Sequence, residues 1–141
     1  LFELDKKLHA DTSLIGDFPL SRLLLCNDAN YPWMILVPRR VGITEVYQLN
    51  LEDRHQLLHE SCVLAGAMQA LFAPDKLNIA TIGNMIPQLH MHHVARFEID
   101  VAWPKPVWGA NPTLQYSDES LAGVVQMVRQ QPAIAEILAS H

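Results

Sequence analysis

One uninterrupted helical stretch, from about Leu51 to Phe72, separates two groups of strand-like segments. That order limits what the chain can fold into more than any other feature. Asn50 suits the N-cap, because its side-chain oxygen can take a backbone N–H that has no partner inside the helix. Asp53 sits in the first turn, where a negative charge meets the positive end of the helix dipole. Leu57, Leu58, Val63, Leu64, Met68, Leu71 and Phe72 recur at approximately helical spacing and predict the face that turns to a core. Ala73-Pro74-Asp75 then breaks the helix.

The segments around it predict strands. Ser21 to Asn27 and Trp33 to Pro38 are short apolar runs joined by the turn-forming Asn27-Asp28-Ala29-Asn30, so they form an antiparallel hairpin. Arg39 and Arg40 are expected in solvent at its end. After the helix, Leu77 to Ile82 reads as a strand, Gly83-Asn84 as a turn, and Gln88 to Phe97 as a further strand. Phe2 to Ala10 reads as a short helix. Ser117 or Asp118 caps a last helix to about Gln130, and Ala133 to Ser140 adds a turn or two after Pro132. Strands grouped in the middle with helices beside them make an α+β class.

Length fits one compact domain over residues 1–141, and with half of its 141 residues hydrophobic the chain can bury a core without staples. Mean hydropathy is +0.08, and no apolar run approaches the ~20 residues that span a bilayer, so no membrane partner is expected. Leu1 to Lys7 lacks the basic-then-apolar order of a signal peptide, which points to the cytoplasm. A formal charge of −5 speaks against a nucleic acid polymer as partner, which needs a basic stripe, but not against a small phosphorylated ligand. Cys26 and Cys62 are far apart and are expected as free thiols.

The chemistry concentrates in Gln88-Leu89-His90-Met91-His92-His93. On a strand, alternate side chains share a face, so Gln88, His90 and His92 point one way, about 7 Å apart in sequence, and His93 points the other. A neutral imidazole is a competent nucleophile toward phosphorus when one nitrogen is held and the other carries a lone pair. A flanking amide and a second imidazole can supply donors to phosphoryl oxygens. The sharper rival is a metal site on His90 and His92, with or without His93. No carboxylate lies close by on that face; Glu98 is about 20 Å further along an extended strand. His55 and His59, four apart on the long helix, have chelating spacing too, but a solvated helix face is the expectation. Arg96 is in phase with His90 and His92, where it could reach an anionic substrate, but an exposed Arg paired with Asp100 or Glu98 is the expectation. Trp103 and Trp108 form a rigid Trp-Pro segment that covers a ligand, makes a dimer contact or closes the core edge.

Gln88 to Val94 resembles the motif of the histidine triad (HIT) family, in which three histidines alternate with apolar residues. The family's nucleophile falls on His90 and the third histidine on His92. Gln88 stands at the first place and His93 at an apolar place, so the chain departs twice. Gly83-Asn84-Met85-Ile86 is similar to the family's phosphate-contacting loop, with Met85 in place of its hydroxyl residue. Asn78 matches a region where relatives carry a polar side chain near the phosphates, and Asn27, or Asp28 beside it, resembles the ribose-contacting position. The resemblance covers roughly residues 20 to 97. It implies a five-stranded antiparallel sheet with one long helix and terminal helices. It also implies a homodimer, no cofactor, and a nucleotide substrate attacked at its α-phosphate by His90. The implied substrates are a nucleoside phosphoramidate or a dinucleoside polyphosphate, hydrolysed or transferred. A nucleotide-binding module with little turnover and a His-based metal-binding protein are the alternatives. Gln88 has no titratable proton, so it can orient a substrate but cannot act as a general acid.

Overall fold

The two apolar runs ahead of the long helix pair as expected. In the computed structural model, which describes residues 1–139, β2 (Ser21–Cys26) and β3 (Trp33–Pro38) run antiparallel with Leu23 opposite Leu36 and Leu24 opposite Ile35. β3 is buried along its whole length, because it is the middle of a five-stranded sheet ordered β1-β2-β3-β5-β4. The other members are β1 (Thr12–Asp17), β4 (Lys76–Ala80) and β5 (Met91–Arg96), and every neighbouring pair is antiparallel. The architecture is α+β.

The long helix α2 spans Leu51–Phe72. The Asn50 side chain accepts from the Asp53 N–H at 2.8 Å, and Ala73 ends the helix in the left-handed region (φ 48°). Asp53 is also clamped by Arg40, through contacts of 2.6 and 3.0 Å, so Arg40 is exposed as expected but paired, whereas Arg39 is half-buried against Asp17. The predicted core face of α2 holds except at Leu58, which is 64% exposed. His55 and His59 are on the exposed side.

Alternation along the strands gives the sheet two unlike faces. Met34, Leu36 and Ala95 point toward α2, α3 (Asp118–Gln130) and α4 (Pro132–Ala139), and form an aliphatic cluster with Leu64, Met68, Val128 and Ile134. Trp33, Ile35, Val37 and Val94 point the other way, under α1 (Lys6–Asp11) and the loop after β5.

Several expected boundaries move. The first helix covers Lys6–Asp11 rather than Phe2 to Ala10, because the Asp5 carboxylate caps it by accepting from the Lys7 and Leu8 N–H groups. β1 was not expected. The strand ending near Ile82 stops at Ala80, and the strand from Gln88 to Phe97 contracts to Met91–Arg96. It stops there because the Asp100 carboxylate accepts from the N–H groups of Phe97, Ala102 and Trp103 and winds the chain into a turn. Of the predicted final turn, Ser140 lies outside the described residues.

Candidate functional site

β5 carries adjacent histidines to opposite faces. His92 lies opposite Ile35 and His93 opposite Met34. His93 is fully buried on the helix side, where its Nε2 meets the Ser61 hydroxyl of α2 at 2.7 Å and its Nδ1 meets the Met91 carbonyl at 3.1 Å. A carbonyl only accepts, so Nδ1 carries the proton and Nε2 accepts from Ser61. His92 has the opposite tautomer. Its Nδ1 is 3.0 Å from the Trp33 indole N–H, which only donates, so in the neutral ring Nε2 holds the hydrogen.

His90 precedes the strand. Its Nδ1 donates to the Gln88 carbonyl at 2.7 Å, which leaves the lone pair of the neutral ring on Nε2. The His90 and His92 rings meet edge to face with centroids 4.8 Å apart. A lone pair on one imidazole and an N–H on the next are therefore neighbours, each fixed by the bond at its ring's other nitrogen.

Both rings open onto a cavity of about 530 Å³. Trp33, Trp108, Ile35 and Ile86 give it an apolar wall, while Asn27 and Asp28 give it a polar one. The Trp108 ring lies 5.2 Å from His92 and 6.0 Å from Trp33. Its indole N–H is buried and has no partner among the described residues. Trp108 is carried by the loop after β5, which Arg96 anchors. Arg96 is 2% exposed, pairs with Asp100 at 2.8 Å and lies 5.7 Å from both the Tyr31 and Trp103 rings. The expected pairing of Arg96 with Asp100 is therefore present, but buried rather than at the surface.

Other expected site residues divide. Asn27 lines the cavity, with its Oδ1 accepting from the Ser13 hydroxyl. Asp28 lines it too, and ties the hairpin turn to Leu114 and Asn30 by accepting their N–H groups. Met85 is 84% exposed at the cavity and Asn84 is exposed in the loop. Gly83 (φ 71°) borders a small recess at His90 with Thr44, Glu45 and Thr81. Asn78 turns away: its Oδ1 accepts from Arg96 at 2.8 Å, and it borders neither space. Gln88 does not share a strand face with His90 and His92, since β5 begins at Met91. Its side chain bonds the backbone of the N-terminal segment instead. Sequence reasoning gave Trp33 no part in the site and Ser61 no role. A donor-only side chain on the strand beside a histidine strand was the available signal for Trp33.

Burial, and then the neighbouring imidazoles His90 and His93, push His92 down to about 3. Burial likewise takes His93 down to about 4, against the opposing pull of the Met91 carbonyl. Burial pushes the Asp100 carboxyl up, but hydrogen bonds from Arg96 and the three loop N–H groups outweigh it and leave it near 2. Burial, with the charges of Asp28 and Asp11 behind it, raises the Cys26 thiol to about 12, so it is an inert cavity neighbour. Among the described residues no group of three His, Cys, Asp or Glu side chains is placed to hold a metal ion, and no helix is long and apolar enough to cross a membrane.

The HIT domain family model matches residues 7–99. A solved histidine triad protein of Marinobacter aquaeolei is 45% identical, with a TM-score of 0.93 over 97% of this chain and 98% of that one. One from Bradyrhizobium japonicum is 41% identical, with a TM-score of 0.90 over 92% and 97%. One from Sinorhizobium meliloti is 35% identical, with a TM-score of 0.90 over 92% and 96%. No curated protein matches the chain.

Proposed function

The chain belongs to the HIT domain family, whose members are generally nucleotide hydrolases or transferases, and from that premise we propose that it splits nucleotides at the α-phosphate through a nucleotidyl-His90 intermediate. Its substrate is a nucleoside phosphoramidate or a dinucleoside polyphosphate. The observation that carries the reading is the pair of fixed tautomers at the cavity: a lone pair on His90 Nε2 beside a hydrogen on His92 Nε2.

In this reading His90 Nε2 attacks the α-phosphorus. A P–N bond forms and the bond from phosphorus to the leaving group breaks. The developing charge on the phosphoryl oxygens falls near the His92 N–H, which the Trp33 bond at the ring's other nitrogen leaves free. Water then attacks phosphorus, the P–N bond to His90 breaks, and the nucleoside monophosphate leaves.

His92 is a donor here and not an acid. Its ring is neutral, so giving up the Nε2 hydrogen would leave an imidazolate. His93, closed between Ser61 and Met91, has no path to the leaving group. The leaving group therefore takes its proton from water. The base stacks on the Trp33 and Trp108 side, with Asn27 or Asp28 toward the ribose.

The residues form one domain, and two copies associate through α2. Its exposed side carries Leu51, His55, Leu58 and Cys62 at helical spacing. The experiment is intact-mass analysis after adding adenosine phosphoramidate or diadenosine polyphosphate. An adduct of one nucleoside monophosphate on His90 is expected. Turnover with no adduct, unaltered in His90→Ala, would defeat the proposal. Tight nucleotide binding with no product would instead favour a binding module.

A further inference from the structure

Among the described residues the Gln88 side chain makes two bonds, both to the backbone of the N-terminal segment. Its Oε1 accepts from the Asp5 N–H at 2.8 Å, and its Nε2 donates to the Glu3 carbonyl at 2.9 Å. A backbone N–H only donates and a carbonyl only accepts, so these partners fix which way the amide faces. The carboxamide pairs with residues 3 and 5 as the N–H and C=O of one residue in a neighbouring parallel strand would. An imidazole cannot copy this, because its two nitrogens point in widely divergent directions.

What the clamp holds reaches the cavity. Phe2 and Leu4 pack against the cluster that contains Trp33, Ile35 and Val107. Asp5, fixed through its N–H, is the residue whose carboxylate starts α1. α1 then gives Lys7, Leu8, Ala10 and Asp11 to the cavity wall. The same Gln88 accepts the His90 Nδ1 hydrogen on its backbone carbonyl. One residue thus ties the nucleophile's orientation to the wall that α1 forms.

We propose that Gln88 is a positioning residue that clamps the N-terminal segment as a wall of the nucleotide cavity, so that this wall sets affinity for the nucleoside part of the substrate. The first triad position has exchanged a titratable ring for a latch. This inference rests on the nucleotide reading above, and its test is built so that the two can fail separately.

Three variants of the full chain serve: Gln88→Ala, which loses both bonds; Gln88→Glu, which keeps the acceptor and loses the donor; and Phe2→Ala, which loosens the same segment without touching Gln88. Hydrogen exchange is followed at Leu4 to Leu8, with the amides of β3 as an internal standard for intact folding. Calorimetry gives the affinity for a nucleoside monophosphate, and single-turnover mass analysis gives the rate of His90 labelling at saturating substrate.

Exchange at Leu4 to Leu8 should rise about tenfold or more in Gln88→Ala and less in Gln88→Glu, with β3 unchanged. Affinity should fall about tenfold in Gln88→Ala and in the same direction in Phe2→Ala, while saturated labelling drops less than about threefold. Unchanged exchange in Gln88→Ala overturns the clamp. Faster exchange with unchanged affinity overturns the claim that the segment shapes the site. A labelling rate that collapses in Gln88→Ala while affinity holds also overturns it, since Gln88 would then act on the chemistry. A wild-type protein that binds no nucleoside phosphate sinks the nucleotide reading and the affinity claim together, and the exchange arm still reports on the latch.

Discussion

His92 and His93 are adjacent on one strand and both are neutral through burial, yet they belong to different parts of the molecule. His93 faces the aliphatic cluster under α2 and α4 and has both nitrogens taken, by Ser61 and by the Met91 carbonyl. Nothing of it is left to offer a ligand. His92 faces the aromatic side and has one nitrogen taken, by Trp33, so that its N–H is directed by a bond it makes elsewhere. The difference teaches that a strand can turn the same side chain into a brace or into a tool. What decides is whether the partner on that face closes the ring's second nitrogen or leaves it open.

The largest effect should come from the aromatic side. His90→Ala removes the lone pair that forms the P–N bond. Turnover should fall more than about a thousandfold, with unfolding free energy changed by less than about 1 kcal/mol, since that ring borders the cavity. Steady-state kinetics and urea unfolding on the same preparation check both halves. A variant that keeps a tenth of its activity would move the nucleophile off His90.

Acid should then act on both faces at once. Below pH 6.5 the unfolded chain takes up a proton on each imidazole, whereas the folded chain refuses it until about pH 4 at His93 and about pH 3 at His92. The unfolded state binds more protons across that window. The stability these rings contribute is therefore fully present above pH 6.5 and is lost as the pH falls. The slope should approach about 1.4 kcal/mol per pH unit for each histidine. Asp100 adds its own loss only lower, between 3.8 and about 2, since its folded value is depressed. Urea titrations from pH 7 to pH 4.5 measure this, and a flat profile would mean that neither ring is held neutral.

Ser61→Ala separates the two faces. It strips the donor from His93 Nε2 and leaves a buried acceptor without a partner. The cost should be about 1–3 kcal/mol of stability, with the rate of His90 labelling changed less than twofold. A large rate loss in a variant that is still fully folded would show that the helix side reaches the chemistry.

How much of this was legible in advance follows the same division. α2 was readable to the residue because Asn50 and Pro74 bracket it and both act locally. The hairpin was readable because Ser21 to Cys26 and Trp33 to Pro38 are apolar runs around a strong turn. β1 was not. Thr12–Asp17 is an edge strand of mixed polarity, its pairing shifts between Leu14 and Gly16, and Gly16 is there because a Cβ would come within 2.7 Å of Leu138. Nothing within six residues announces a neighbour more than a hundred residues away. The histidine motif gave His90 and His92 by spacing, but strand alternation misplaced Gln88, whose partners are Glu3 and Asp5. Asn78 failed in the same way, since the Arg96 that claims it comes from the next strand. Local signals place elements and residue types, whereas the partner that fixes a side chain's role comes from a distant part of the chain.

Trp33→Phe gives the smallest effect and the most direct one on what separates the two histidines. Phenylalanine keeps an aromatic ring against His92 but removes the indole N–H. With Nδ1 unpaired, His92 is free to carry its hydrogen on either nitrogen, and in part of the population a lone pair then faces the phosphoryl oxygens. The rate of His90 labelling should fall about tenfold, equivalent to about 1.4 kcal/mol of transition-state stabilisation. Nitrogen chemical shifts of the His92 ring should report Nε2–H in the wild type and a mixture in the variant, while His93 stays Nδ1–H in both. A wild-type His92 found with its hydrogen on Nδ1 would contradict the Trp33 bond itself, and with it the reason these neighbours differ.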